Sequence, residues 1–291
     1  MSVTQFRLNQ EIKRFVLSQD EAGKSYSPDQ IRYINQYTGS GGMASKGATG
    51  QGLLYEFYTP DYVCDLMWEL ARHYGYPDSG TVLEPSCATG RLFRGATDYS
   101  KCVGFEVNPV SARIAELTYP GVTVFSDYFE TAFLVPPRYT NRVAAKIFSA
   151  TEWTDWHNLA LRRSGSARPE PKYTIEAGQK PTWLAQAPFD LVIGNPPYGI
   201  YQNEYSGYFP ETRRQGLKQI EIFFMVKGLE LLKPGGILVY LTGSNFMRNG
   251  VSYQTAKMYM DTLCVLKDAY RLPPVFDTSK VPTDILVFQR N

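Results

Sequence analysis

At 291 residues and 32.9 kDa the chain is long enough to bury a full core, as one elaborated domain. Its four cysteines, Cys64, Cys87, Cys102 and Cys264, are scattered without a C-x-x-C pair, which argues against zinc, an iron–sulfur centre or a disulfide framework, so no metal is expected. A net charge of +2 is too mild for nucleic-acid binding across the whole surface, no stretch approaches the about 18 uninterrupted apolar residues of a membrane span, and the first residues carry no signal-peptide core; a soluble, cytoplasmic protein with no membrane partner is expected.

Thr4 to Val16 reads as an amphipathic helix, and Ser27-Pro28 supplies the N-cap and first-turn proline of a second one running through Gln36. Gly39 to Gly52, "GSGGMASKGATGQG", then breaks regular structure and reads as a mobile loop, because ordering so many glycines is entropically costly. It is not a P-loop, since no G-x-x-x-x-G-K-[ST] can be placed on it.

From Leu53 onward strands and helices alternate. The spacing predicts a helix over Asp61 to Tyr74, strands over Thr81 to Glu84 and Cys102 to Val107, and a helix from Pro109 to Thr118 opened by Asn108-Pro109. Further strands are predicted at Val122 to Phe125, Phe189 to Ile193 and Ile237 to Leu241, with Gln219 to Leu232 helical. Such alternation implies an α/β, doubly wound, Rossmann-like and mostly parallel sheet. Val265 to Arg271 and Asp284 to Gln289, with no helix between them, fit an antiparallel hairpin at one sheet edge. Residues 131–188 form an insertion longer than a crossover needs, carrying eight basic residues from Arg138 to Lys180 against four acidic ones. With Trp153 and Trp156 beside it, this segment suits either phosphate contact and base stacking or a solvated excursion around a small aromatic core.

Three strand ends in succession describe an adenosyl pocket. "LEPSCATG" runs from a strand into a small-residue turn and on into a helix, so that backbone N–H groups around Ser86, Ala88 and Gly90 and the helix N-terminus can face a ligand's polar end. The G-x-G-x-x-G fingerprint is absent, which points away from NAD. Glu106 in "GFEVNP" could accept both hydroxyl protons of a ribose, Asp127 in "SDYFE" could accept from an adenine amine, and Tyr128 could cover the ring. Without phosphate-binding machinery the natural ligand is S-adenosylmethionine. At the end of the next strand, beside the first, stands "NPPY", where a second substrate would meet the donor methyl. If the Asn195 side-chain oxygen and the Pro196 carbonyl accept the two N–H bonds of an aromatic amine, its lone pair is drawn out of the ring without an ionised base. Tyr198 could stack on the base, about 1–3 kcal/mol of contact that offsets part of the cost of extruding it from a duplex. The bland alternatives are that Tyr198 and Phe276 anchor loops in the core and that Glu106 and Asp127 are surface acids; His73 and His157 read as ordinary helix or loop residues.

These motifs, with "EFYTP", "LLKPGGILVYL" and "RLPPVFDTSKVPTDILVFQ", resemble the gamma-type N6-adenine DNA methyltransferases of the TaqI/Eco57I kind over most of Leu53 to Asn291. The resemblance implies a seven-stranded class I S-adenosylmethionine-dependent methyltransferase domain at 53–291, last strand antiparallel, behind an N-terminal helical and glycine-rich arm at 1–52. It implies that Thr59, Glu84 and the backbone around Ser86 to Gly90 touch the donor's methionine end and that Glu106 binds the ribose. By the same likeness Val107 and Tyr128 sandwich the adenine, Asp127 holds its amine, Asn195, Pro196 and Tyr198 hold a flipped adenine of duplex DNA, and Phe276 covers its other face. Asn291 closes the last strand, so a C-terminal target-recognition domain is expected to be missing; either the insertion and arm read DNA, a separate specificity subunit does, or specificity is low. "NPPY" also serves methylation of a protein glutamine amide or an RNA adenine, and a donor-binding subunit that needs a partner for activity remains a further reading.

Overall fold

The computed structural model describes residues 3–39, 58–130, 134–135, 170–171, 187–197, 219–248, 251–276 and 282–291. Two helices, α1 (Val3–Glu21) and α2 (Pro28–Ile34), precede α3 (Asp61–His73). The sheet then begins with β1 (Val82–Glu84), β2 (Cys102–Phe105), α4 (Pro109–Thr118) and β3 (Thr123–Phe125). A separate two-stranded ladder of β4 (Leu134–Val135) and β5 (Glu170–Pro171) lies before β6 (Phe189–Gly194). The chain continues through α5 (Ile220–Glu230), β7 (Leu232–Gly243), α6 (Val251–Leu263), β8 (Cys264–Leu272) and β9 (Thr283–Arg290).

Both proline-opened helices start where their caps dictate. Ser27 Oγ accepts from Gln30 N–H at 3.3 Å while Gln30 Oε1 accepts from Ser27 N–H at 2.8 Å, a reciprocal capping box, and Asn108 Oδ1 accepts from Val110 N–H at 3.0 Å to open α4. One expectation is corrected, and one helix is added to those that the spacing predicts. The segment after the "PSCATG" turn is not α-helical but a 3-10 turn over Arg91–Gly95, held beneath Trp68: a Cβ on Gly95 would lie 2.3 Å from the indole, so the chain passes where only glycine fits. Helix α6 was not expected at all. Its apolar face is interrupted on the outside by Met258, 66% exposed, which blurs the 3.6-residue period.

The seven main strands lie in the order β3-β2-β1-β6-β7-β9-β8. The first five are parallel, and β9 runs antiparallel between β7 and β8, so the late hairpin closes one edge. Leu83, Val192, Leu238, Tyr240 and Leu286 point to the layer of α5 and α6, where Phe223, Val226 and Met260 meet them. Val82, Leu191, Ile193, Val239, Ile285 and Val287 point to the other face, against Met67, Trp68 and Ala71 of α3. Burial on both faces, at about 1.5–3 kcal/mol for each large apolar side chain, is why the central strands read as continuous apolar runs. Strand direction of travel across the sheet reverses between β1 and β6. The carboxyl ends of those neighbours, Glu84 and Gly194, therefore flank the topological switch point.

A clip at the opposite end of β6 sets its register. Asp190 Oδ2 accepts from Thr81 N–H at 2.7 Å, from Thr81 Oγ1 at 3.0 Å and from Lys233 Nζ at 2.8 Å, tying the starts of β1, β6 and β7 together.

Candidate active site

Ser86 Oγ donates to the main-chain carbonyl of Asn195 at 3.2 Å, joining the turn after β1 to the turn after β6. Asn195 and Pro197 are half-buried, Pro196 is buried, and the Asn195 side-chain oxygen is itself inaccessible to solvent. Neither proline nitrogen can extend the ladder to β7, so β6 stops at Gly194.

Around the β1 turn the backbone is bent sharply. Ala88 has φ 48, in the left-handed region, and Gly90 has φ 76, with Phe93 and Ala115 side chains where a Cβ would stand. This bend points the Ala88 N–H at Glu106 Oε2, 2.9 Å away, while Glu106 Oε1 accepts from Asn108 N–H at 2.7 Å. Glu106 is thereby oriented at the end of β2. Val107 next to it is 37% exposed, an aliphatic surface at the rim. At the end of β3 Asp127 is buried, its Oδ1 accepting from Tyr128 N–H at 2.7 Å, and Tyr128 packs half-buried against the core.

Glu84 is the electrostatic anomaly of the site. It is 3% exposed, and its Oε2 has no hydrogen-bond partner among the described residues. Burial, and then the charge of Glu106, push its carboxyl well above the ordinary 4.5. Burial likewise pushes the Cys87 thiol well up, with the Glu84 and Glu106 charges adding to it, which makes this cysteine an inert packing group.

Thr59 is buried just before α3, its carbonyl accepting from Cys64 Sγ at 3.8 Å. Its neighbour Tyr58 is fixed from two sides, by a 3.1 Å hydrogen bond with Ser111 Oγ and by the Arg91 guanidinium 5.6 Å over its ring. Along the chain Tyr58, Arg91 and Ser111 carry no spacing that marks them as neighbours; the aromatic before "TP" is the local signal that points to the first of them.

The structure thus brings Glu84, Ser86, Ala88, Gly90, Glu106, Val107, Asp127, Tyr128, Asn195 and Pro196 to the carboxyl ends of β1, β2, β3 and β6, while Thr59 stands just before α3. Phe276 follows β8 and is 8% exposed, within the apolar cluster that holds Ile193 and Leu241. Tyr198, most of the glycine-rich loop and most of the 131–188 insertion lie outside the described residues. His73 stacks edge-on against Tyr74 at 4.8 Å; among the described residues there is no metal-holding cluster, and no helix is long and apolar enough to cross a membrane.

A seven-stranded sheet with an antiparallel β9, and acidic groups at the ends of β1, β2 and β3, defines a class I S-adenosylmethionine-dependent methyltransferase fold. Within that class the chain belongs to the Eco57I restriction-modification methylase family, whose model matches residues 101–269. S-adenosylmethionine is accordingly its expected cofactor, and the residues fit it: a buried carboxylate with an unpartnered oxygen suits a cationic ligand, and Glu106 suits a diol. The chain is 22% identical over 272 residues to the Defense against restriction protein B of Escherichia phage P1, a match that spans 92% of this chain and 9% of the phage protein. Among solved structures, a Listeria monocytogenes protein described as a class I S-adenosylmethionine-dependent methyltransferase superposes with a TM-score of 0.54 at 14% identity, over 97% of this chain and 68% of that one. A type I restriction-modification methyltransferase subunit from Streptococcus thermophilus superposes with a TM-score of 0.54 at 19% identity, over 81% of this chain and 45% of its own. The chain spans less than half of that subunit and a small part of the phage protein.

Proposed function

We propose that the protein transfers a methyl group from S-adenosylmethionine to the N6 amine of adenine in DNA, with the target base flipped into a pocket formed by Asn195, Pro196 and Tyr198. The observation that carries this reading is the 3.2 Å bond from Ser86 to Asn195, which seats the acceptor turn against the donor turn at the switch point. Membership of a restriction-modification methylase family supports DNA as the substrate.

When bound, the donor supplies an electrophilic methyl on a positively charged sulfur. Glu84 would balance positive charge at its methionine end together with Thr59, Glu106 would take the ribose hydroxyls, Val107 and Tyr128 would flank the adenine, and Asp127 would accept from its amine. The Asn195 Oδ1 and Pro196 carbonyl would accept the two N–H bonds of the target amine and so aim its nitrogen lone pair at the methyl group that the bound donor would supply, with the surplus proton passing from the nitrogen to solvent. Two consecutive prolines hold those acceptors rigid. Tyr198 stacks on one face of the base and Phe276 covers the other, a contact of about 1–3 kcal/mol per ring that requires the Phe276 edge to meet the base from within its apolar cluster. The 53–291 domain carries this chemistry, and duplex recognition falls to the 131–188 insertion, the N-terminal arm or a separate specificity subunit.

Incubation with methyl-labelled donor and, in parallel, duplex DNA, single-stranded DNA, RNA or cell protein tests the proposal. Label recovered as N6-methyladenine from DNA, and lost in Asn195→Ala and Tyr198→Ala while donor binding persists, is the expected result. Label confined to RNA adenine or to a glutamine amide would overturn the DNA assignment, and unchanged turnover in either variant would overturn the pocket.

A further inference from the structure

We infer that Tyr37, at the end of the N-terminal arm, is a positioning residue for the donor's ribose, acting through Asn108 on Glu106; the inference rests on the donor site proposed above. The arm packs on the back of the adenosyl side of the sheet. Ile12, Val16 and Ile34 from α1 and α2 share one buried cluster with Val110 and Ile114 of α4, and Tyr37 lies in it at 3% exposure. Packing alone would be served by a phenylalanine. The Tyr37 hydroxyl instead accepts from Asn108 Nδ2 at 3.3 Å.

Asn108 is the hinge of this relay because its side-chain oxygen, its side-chain nitrogen and its main-chain N–H are all committed. Its Oδ1 caps α4 at Val110 N–H, its Nδ2 reaches Tyr37, and its main-chain N–H donates to Glu106 Oε1 at 2.7 Å. From the other side Ala88 N–H holds Glu106 Oε2. The orientation of the carboxylate is therefore set jointly by the turn after β1 and by a residue that the arm holds in place.

The arm in turn is anchored where it delivers Tyr37. Asn9, buried at 2% exposure in α1, accepts from Thr38 N–H at 3.2 Å and donates to Thr38 Oγ1 at 3.3 Å and to the Gly39 carbonyl, while Gln5 Nε2 donates to Asn9 Oδ1 at 2.9 Å. Two further ties hold the helices to α4, from Arg113 to Asp20 at 2.9 Å and from Thr118 to Asn35 at 2.8 Å. A buried amide closing on the two residues after Tyr37 fixes that segment more firmly than apolar packing requires.

Calorimetric titration of the full chain with S-adenosylhomocysteine and with its 2′,3′-dideoxy counterpart tests the relay. In Tyr37→Phe, which keeps the ring in its cluster, the Kd for S-adenosylhomocysteine is expected to rise roughly three- to tenfold, the loss of about one hydrogen bond, while that for the dideoxy ligand changes by less than about twofold. Asn108→Ser keeps a helix cap and removes the amide that reaches Tyr37, and it is expected to show the same ribose-dependent loss; should Tyr37→Phe not fold, this variant decides alone. Equal weakening for both ligands, or none for the parent ligand, overturns the relay. A wild-type chain that binds neither ligand sinks the donor site itself, and the relay with it.

Discussion

The hydroxyl of Ser86 and the carbonyl of Asn195 lie 3.2 Å apart, although 109 residues separate them in the chain. Because the bond uses the side chain of one turn and the backbone of the other, Ser86→Ala removes the coupling without altering the amides of the donor turn. The single-turnover methylation rate is expected to fall by about three- to tenfold, the equivalent of roughly 0.5–1.5 kcal/mol, while donor Kd stays within about twofold. A rate equal to wild type in rapid-quench measurements would show that the two turns are held in register by other contacts.

Glu84 predicts a proton linked to donor binding. Its folded-state pKa is raised by burial and by Glu106, so its stabilising contribution is present below the unfolded value and lost as pH rises through the folded one. A cationic ligand favours the ionised form. Binding should therefore release a proton, and affinity should climb with pH. Titrations in buffers of unequal ionisation enthalpy are expected to show that release in wild type and none in Glu84→Gln, whose binding is weaker by about 1.5–3 kcal/mol. The unliganded Glu84→Gln chain should at the same time be no less stable than wild type at alkaline pH, as read by thermal unfolding.

Ala88 sits at φ 48, where a Cβ is strained and glycine is not. Ala88→Gly is expected to stabilise the folded chain by up to about 1 kcal/mol, part of the relief being returned to the unfolded state's greater freedom. In a domain of this size that corresponds to a rise in Tm of roughly 2–4 °C by scanning calorimetry. A fall in Tm would mean that the left-handed bend is not strained in solution.

At the amino edge of the sheet, burial works to raise the Asp190 carboxyl, but the Lys233 ammonium and the N–H and hydroxyl of Thr81 outweigh it and hold the pKa below the ordinary 3.8. A depressed carboxylate stabilises the fold above its unfolded pKa, and that contribution disappears as pH falls through the folded value. Asp190→Asn should thus cost stability at neutral pH, with the gap from wild type closing in acid below 3.8. Denaturant midpoints measured across that range check it; a gap independent of pH would assign the clip's worth to hydrogen bonding alone.

Much of this was legible in the chain itself because it rests on local chemistry. Ser27-Pro28 and Asn108-Pro109 open their helices with the caps their side chains dictate, and the apolar runs Val82–Leu83 and Leu191–Ile193 become central strands because only a strand buried on both faces tolerates them. The acids at strand ends and the prolines after Gly194 could likewise be placed at the carboxyl edge from order alone. Where sequence reading failed, a distant neighbour decided. Arg91–Gly95 winds as a 3-10 turn because the Trp68 indole lies against it, and α6 forms on an interrupted pattern because Tyr253, Ala256 and Met260 find the sheet.

What the sequence determined by itself, then, is which residues stand at the carboxyl edge of the sheet, since strand order and turn chemistry are written in hydrophobic period, glycine and proline. The tertiary structure alone decided how they are coupled: the Ser86 hydroxyl on Asn195 and the path from Tyr37 to Glu106 depend on atoms brought within about 3 Å by packing, and hydrogen bonds are too short-ranged and directional to be read from spacing along a chain.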